Sequence, residues 1–318
     1  MVKGLPKMLL LFFLVIILIY VVVNLLYWRF YNETESFINI IDTVETSVDI
    51  VSSTNTNSVI PKFLWFFWDG EPTEFVSRCI DSWRKYNPTY TIHLLNKENI
   101  DQYLPDVKIG ELRHANDSLA RYSDYVRLNI LSRYGGVWID ASSICHRSLD
   151  WIHSIQQKYK VDMIGFYLEG FTTPEYKETS PIIESWFFAC TPNSTFVKDW
   201  CSEFMKTNDF ETIDQYLEYA ETSGCNFQKI SIPNYLTIHV AAQVILQKNP
   251  SKYHMCVLSA EKGPYQYLVD VEWNSQKAVE NLVNDETRFT YYKLPFIKLR
   301  SNERPSIQSL PSYDKMFS

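Results

Sequence analysis

Asp124 and Arg127, three residues apart, stand in a stretch that is otherwise rich in small and apolar residues, Leu119 to Leu131. On a helix that spacing puts both on one face, together with Ala120, Leu128 and Leu131. Such a pair is either a solvated ion pair or a polar device set in a pocket wall. Later in the chain Asp140 ends the apolar run Val137-Trp138-Ile139, and Ser142 follows two positions on. Residues two apart in an extended segment point the same way, so Asp140 and Ser142 are expected to face one pocket. Glu184, ahead of Ser185-Trp186-Phe187, is placed either to touch a hydroxyl of a substrate or to stand at a strand edge. His239 lies among apolar neighbours, as core histidines do. Lys298 is placed either to reach a phosphate or to stand in solvent.

Elements must hold these side chains. Asn116-Asp117-Ser118 supplies N-cap candidates and Gly135-Gly136 a left-handed stop, which predicts a helix between them, followed by a buried strand over Val137–Asp140. Upstream, Ile60 to Trp68 is a Pro-containing apolar run short enough for a buried strand, closed by the turn residues Asp69-Gly70-Glu71-Pro72. Phe75, Val76, Cys79, Ile80 and Trp83 recur at helical spacing until Asn87-Pro88, and Tyr90–Leu95 reads as a second strand. A strand, helix and strand in this order predict a parallel pair in an α/β sheet, which binds ligands at the carboxyl ends of its strands. Met163–Tyr167 and Trp186–Cys190 are further strands. The polar loop from Glu169 to Glu184 between them suits a lid or binding loop. Asp199–Met205, Glu211–Ala220 and Tyr235–Gln247 have helical character, and Gly263-Pro264-Tyr265 marks a turn.

The 318 residues are 46% hydrophobic and 21% charged, so the chain can bury a core and is not mainly disordered. A formal charge of −7 leaves no basic surplus for nucleic acid, which is not an expected partner. Neither GxGxxG nor GxxxxGK[ST] occurs, which removes the usual dinucleotide and P-loop signals. Aromatic residues reach 15%, so a ligand site is expected to lean on rings. The six cysteines show no CxxC or zinc spacing and suit buried thiols or one or two disulfides.

From Met8 to Tyr27 the only strongly polar side chain is Asn24, and such a run at ~1.5 Å per residue spans about 30 Å. We therefore expect residues 1–7 as a cytoplasmic tail, 8–27 as a transmembrane signal-anchor and 28–58 as a Ser/Thr/Asn-rich stem. Lys3 and Lys7 ahead of the run orient the expected single-pass type II protein with its 59–318 domain in the lumen, in Golgi membrane. Asn32, Asn116 and Asn193 begin Asn-x-Ser/Thr acceptors, which permit that location and a glycoprotein.

Ile60-Pro61-Lys62 with Trp68, Ala120-x-x-Ser123-Asp124-x-x-Arg127, Gly135-Gly136-Val137-Trp138-Ile139-Asp140-Ala141-Ser142, and Glu184-Ser185-Trp186-Phe187 together resemble the capsular polysaccharide synthesis protein family. That family is similar to DXD-containing mannosyltransferase-like glycosyltransferases. The resemblance implies a GT-A-type nucleotide-sugar-binding fold, a Rossmann-like mixed sheet flanked by helices behind the anchor. It also implies transfer of a sugar, with retention of configuration, from a nucleotide-sugar donor to a glycan or polysaccharide acceptor. Carried over residue by residue, it places Trp68 beside the base, Asp124 and Arg127 on the donor sugar, and Asp140 on the ribose and a Mn2+ or Mg2+ ion. Ser123, Gly135 and Gly136 belong to the same nucleotide-binding motifs. Ser142 stands where the second carboxylate of DXD would be, which weakens the expected metal site. The same departure suits an inactive relative, and the many aromatic residues suit a membrane-tethered carbohydrate-binding module; these are the rival expectations.

Overall fold

Phe63–Phe67 (β2) is apolar at every position, as a strand covered on both faces must be. A computed structural model describes residues 14–15, 17–25, 48–52, 58–308, 310 and 312–317. The chain divides into two units, Met1–Thr43 and Val44–Ser318. In the second unit β2 is joined to Thr91–Leu95 (β3) by a helix, Glu74–Tyr86 (α1), and the two strands pair in parallel as the sequence predicts. The Thr73 hydroxyl caps α1 by accepting from the Val76 amide, and the Asn87 side chain donates to the Trp83 carbonyl at its other end. Seven strands form the sheet, in the order β1-β8-β6-β7-β4-β2-β3. The others are Val48–Ser52 (β1), Gly136–Ile139 (β4), Met163–Tyr167 (β6), Ile183–Cys190 (β7) and Met255–Ser259 (β8). β4 runs parallel to β2 and antiparallel to β7, while β6 runs antiparallel to β7 and parallel to β8. The carboxyl ends of β2, β4, β6 and β8 and the amino end of β7 therefore share one edge.

Alternation along the strands sends Trp65, Phe67, Trp138 and Phe188 to one face, where they pack with Leu119–Tyr134 (α2), Thr195–Met205 (α4) and, after Ile213–Thr222 (α5) in the chain, Thr237–Lys248 (α6). α2 is buried almost all round and is capped by the Ser118 hydroxyl, which accepts from the Arg121 amide. Phe66 and Phe187 point to the other face, against Trp83 of α1 and Trp151 of Asp150–Tyr159 (α3). On that face a two-stranded ribbon, Ser143–Cys145 (β5) with Phe296–Lys298 (β9), is seated by Phe296 stacking on Phe187 at 4.7 Å. The chain is thus α/β, a mixed sheet flanked by helices. The six cysteines are all buried, and none forms a disulfide.

Two expectations about the amino-terminal region change. Among the described residues no helix is long and apolar enough to cross a membrane. A crossing needs about 20 apolar helical residues, and no described helix meets that requirement. The transmembrane signal-anchor of 8–27, the membrane as a partner, and the single-pass type II Golgi placement that rested on it do not stand. The remainder of 8–27 and the tail 1–7 lie outside the described residues. Within the expected stem of 28–58, residues 48–52 instead form β1, paired antiparallel with β8. The residues 28–47 and 53–57 lie outside the described set.

Gly135 and Gly136 turn α2 into β4 with φ of 63° and 95°. A Cβ on Gly135 would stand 2.6 Å from the Pro192 nitrogen and 2.8 Å from the Cys190 oxygen, both backbone atoms. Gly135→Ala is expected to cost about 2–3 kcal/mol, from the positive φ and the overlap together. Urea unfolding measures it, and a wild-type midpoint would show that the turn relaxes.

Candidate functional site

At the shared edge of the sheet lies a cavity of about 890 Å3. Trp68 and Asp69 reach it from the end of β2, Ser123, Asp124 and Arg127 from α2, and Asp140-Ala141-Ser142 from the end of β4. Glu184-Ser185-Trp186 enter from the start of β7, His239 from the first turn of α6, and Lys298 from β9. Every residue singled out for chemistry is there except Gly135 and Gly136. Those two stand at the opposite end of β4, where their role is the backbone turn.

Arg127 is the hub. Its Nη1 donates to Ser185 Oγ at 2.5 Å and lies 3.2 Å from Asp124 Oδ1. Its Nη2 donates to Ser123 Oγ at 3.2 Å and to Asp140 Oδ1 at 3.3 Å. One planar guanidinium thus joins α2, the end of β4 and the start of β7, and its carbon stands 5.2 Å from the Trp138 ring centroid. The solvated-pair reading of Asp124 and Arg127 fails, because both side chains are about nine-tenths buried. Burial pushes the Asp124 carboxyl up to about 6 despite Arg127, His239 and Arg121. Asp140 goes the other way: burial would raise it, but Lys298 and Arg127 outweigh burial and hold it below the usual carboxylate range.

Asp140 and Ser142 do share the cavity, though not through an extended segment. Residues 141 and 142 form a turn, in which the Ser143 amide donates to the Asp140 carbonyl at 3.1 Å. The Asp140 amide donates to the Trp186 carbonyl at 2.9 Å, which sets the carboxylate beside Ser185 and Glu184. Lys298 is not a solvated surface residue. Its Nζ lies 3.0 Å from Asp140 Oδ2 and donates to Ser142 Oγ at 3.4 Å, with its side chain 8% exposed.

That arrangement bears on the expected Mn2+ or Mg2+. Asp140 gives one oxygen to Arg127 and the Trp138 indole and the other to Lys298, and Ser142 is shared with the same ammonium. A hard divalent cation takes six or more oxygens. Here one carboxylate, already neutralised twice, and one hydroxyl do not fit a resident ion. Among the described residues no group of three or more His, Cys, Asp or Glu side chains is placed to hold one.

His239 is buried, as expected, and also lines the cavity. Its Nε2 lies 3.5 Å from Glu184 Oε2 in the cavity wall, and its buried Nδ1 finds no partner among the described residues. Arg121 positions this turn by donating to the Asn234 carbonyl and to Thr237 Oγ1. Arg300, Arg304 and Trp273 also line the cavity and were missed by the sequence reading. The available signal was basic spacing: Lys298, Arg300 and Arg304 fall within one short segment. The expected binding loop contributes Gly170 and Phe171 to the wall.

With this geometry in place, the family model for capsular polysaccharide synthesis proteins matches residues 39–303, most of the chain. The chain belongs to the capsular polysaccharide synthesis protein family. Its Asp140-Ala141-Ser142 motif does not support a specific DXD mannosyltransferase-like assignment within that family. The chain is 29% identical over 168 residues to the O-glycosyltransferase braB of Annulohypoxylon truncatum, covering 48% of this chain and 38% of that one. It is 28% identical over 101 residues to the glycosyltransferase afumC of Aspergillus fumigatus, covering 27% and 26%. The chain therefore spans less than two-fifths of the length of either curated relative. Among solved structures, the PaToxG glycosyltransferase aligns over 91% of this chain and 95% of its own, at 11% identity and a TM-score of 0.37, too low to carry a shared fold.

Proposed function

We propose that this chain is a glycosyltransferase that passes a sugar from a nucleoside diphosphate-sugar to a hydroxyl of a glycan or other acceptor. The observation that carries this reading is the convergence on one cavity of Arg127 and Lys298, on either side of Asp140, with Asp124, Trp68 and Glu184 in the walls. Family membership supports it, as do two curated relatives named as glycosyltransferases.

Breaking the bond between the anomeric carbon and the phosphate oxygen sends an electron pair to the diphosphate, so fixed positive charge at that oxygen lowers the barrier. Lys298 and Arg127 supply it. The sugar gains oxocarbenium-like charge, which the Asp124 carboxylate in the cavity wall offsets. Asp124 and Ser123 accept hydrogen bonds from sugar hydroxyls, and the half-buried Trp68 offers a ring face to the base. The acceptor oxygen forms the new bond to the anomeric carbon. With retention of configuration, the acceptor proton passes to the departing phosphate, and Glu184, steadied by His239, orients the acceptor hydroxyl.

A panel of UDP- and GDP-sugars incubated without acceptor tests the reading. Slow release of nucleoside diphosphate from one donor is the expected result, and a panel in which no donor binds or breaks down would overturn it. Binding without release would mark the inactive relative.

A further inference from the structure

The Lys298 ammonium takes the two oxygen donors, of Asp140 and Ser142, on which a divalent cation was expected. Besides Asp140 and Ser142, its Nζ donates to the Leu299 carbonyl at 3.0 Å. A carboxylate, a hydroxyl and a carbonyl oxygen are the donors a hard cation takes, and here they meet the three N–H bonds of one ammonium. Resting on the glycosyl-transfer reading above, we infer that Lys298 is a built-in cation for the donor's diphosphate, so that a nucleoside diphosphate binds this chain without a divalent metal.

The pairing of Lys298 leaves it one contact to exchange for a phosphate. Asp140 meets two cations, Arg127 and Lys298, and Arg127 is also paired with Asp124, so two cations face two carboxylates and, among the described residues, Lys298 has Asp140 alone as its acidic partner. A second carboxylate at position 142 would make the cluster net negative and repel a phosphate, whereas Ser142 gives Lys298 a neutral partner that a phosphate oxygen can replace. The Ser142 contact is also the longest of the three, and the hydroxyl has a second partner in the Leu299 carbonyl at 3.2 Å. A phosphate oxygen can therefore displace it without stranding either group. Arg300 and Arg304 on the same wall add positive charge beyond Lys298, although Arg300 shares its own with the buried Glu303.

The lysine is also fixed at its base. Lys298 pairs with Ser143 across the β5–β9 ribbon, its carbonyl accepts from the Tyr267 hydroxyl at 2.9 Å, and Phe296 anchors the strand on Phe187. A long flexible stem held in this way loses less freedom when a phosphate arrives.

The test uses the full chain, UDP, GDP, ADP and CDP as probes, and two readouts: calorimetric nucleotide binding, and Mn2+ uptake followed by the electron paramagnetic resonance of the free ion. In wild type one nucleotide should bind as tightly in EDTA as in Mn2+, and Mn2+ alone should not be taken up. Lys298→Met should weaken binding in EDTA by about tenfold to a hundredfold, the loss of a charge-assisted contact. Lys298→Arg keeps the charge and should retain metal-free binding, which separates a binding role from a folding defect. Wild-type binding that needs Mn2+, or an unchanged affinity in a folded Lys298→Met protein, would overturn the built-in cation and leave the transferase reading standing. No binding of any probe under either condition would overturn both.

Discussion

Arg127→Ala is expected to lower donor turnover by about 10²–10³-fold and to cost about 3–5 kcal/mol of stability at neutral pH. The guanidinium holds Ser123, Asp124, Asp140 and Ser185 at once, so its loss leaves Asp124 buried without its nearest cation and frees the end of β4 from the start of β7. Arg127→Lys restores a positive charge but not the planar fork, and one ammonium cannot reach four partners on three elements. The lysine variant should therefore regain most of the stability and no more than about a tenth of the turnover. Urea unfolding and donor hydrolysis measured on the same preparations separate the two effects. Wild-type turnover in the lysine variant would show that the fork is dispensable and that Arg127 only balances charge.

Asp124→Asn should separate activity from stability, with a sign that depends on pH. The folded chain raises this carboxyl from its ordinary 3.8 to about 6, so between those values the folded protein holds a proton that the unfolded chain releases. Wild-type stability therefore falls as pH rises through this window, by about 3 kcal/mol when complete. Below about pH 4 the carboxyl is protonated in both states, and the isosteric amide should match wild type. Above about pH 6 the amide escapes the penalty of burying a charge and should melt higher than wild type. Turnover should nonetheless fall about tenfold to a hundredfold, because a neutral amide accepts more weakly than a carboxylate from the donor sugar's hydroxyls. The decisive measurements are the melting difference between variant and wild type from pH 4 to 8 and the hydrolysis rate at pH 8. A difference that does not change with pH would show that Asp124 titrates normally, and an unchanged rate would reduce the pair to a structural one.

The alternation and helical periodicity of this chain were sufficient for its local elements. β2, α1, β3, α2, β4 and β6 lie where apolar spacing, N-caps and Gly or Pro stops put them, because those signals act between residues a few positions apart. Many members of the candidate site were legible too, though not Arg300, Arg304 or Trp273, since charges within apolar stretches mark the places where a buried element meets a cavity. Other features were beyond local pattern. A run of apolar residues at the amino terminus fixes hydropathy alone, and among the described residues no helix long and apolar enough for the expected anchor is present. β1 was hidden in a polar segment because an edge strand is specified by the backbone of its partner, here β8, as much as by its own side chains. His239 is buried as its neighbours in sequence suggest, but its approach to Glu184, 55 positions away, is made only by the packing of α6 against the start of β7. Lys298 shows the limit most clearly: its 156-residue separation from Ser142 is closed only by the β5–β9 ribbon and the aromatic stack beneath it. Chain-local spacing determined which charges would be present. Long-range strand pairing, which no local pattern encodes, decided that an ammonium rather than an open pair of oxygens would face the cavity.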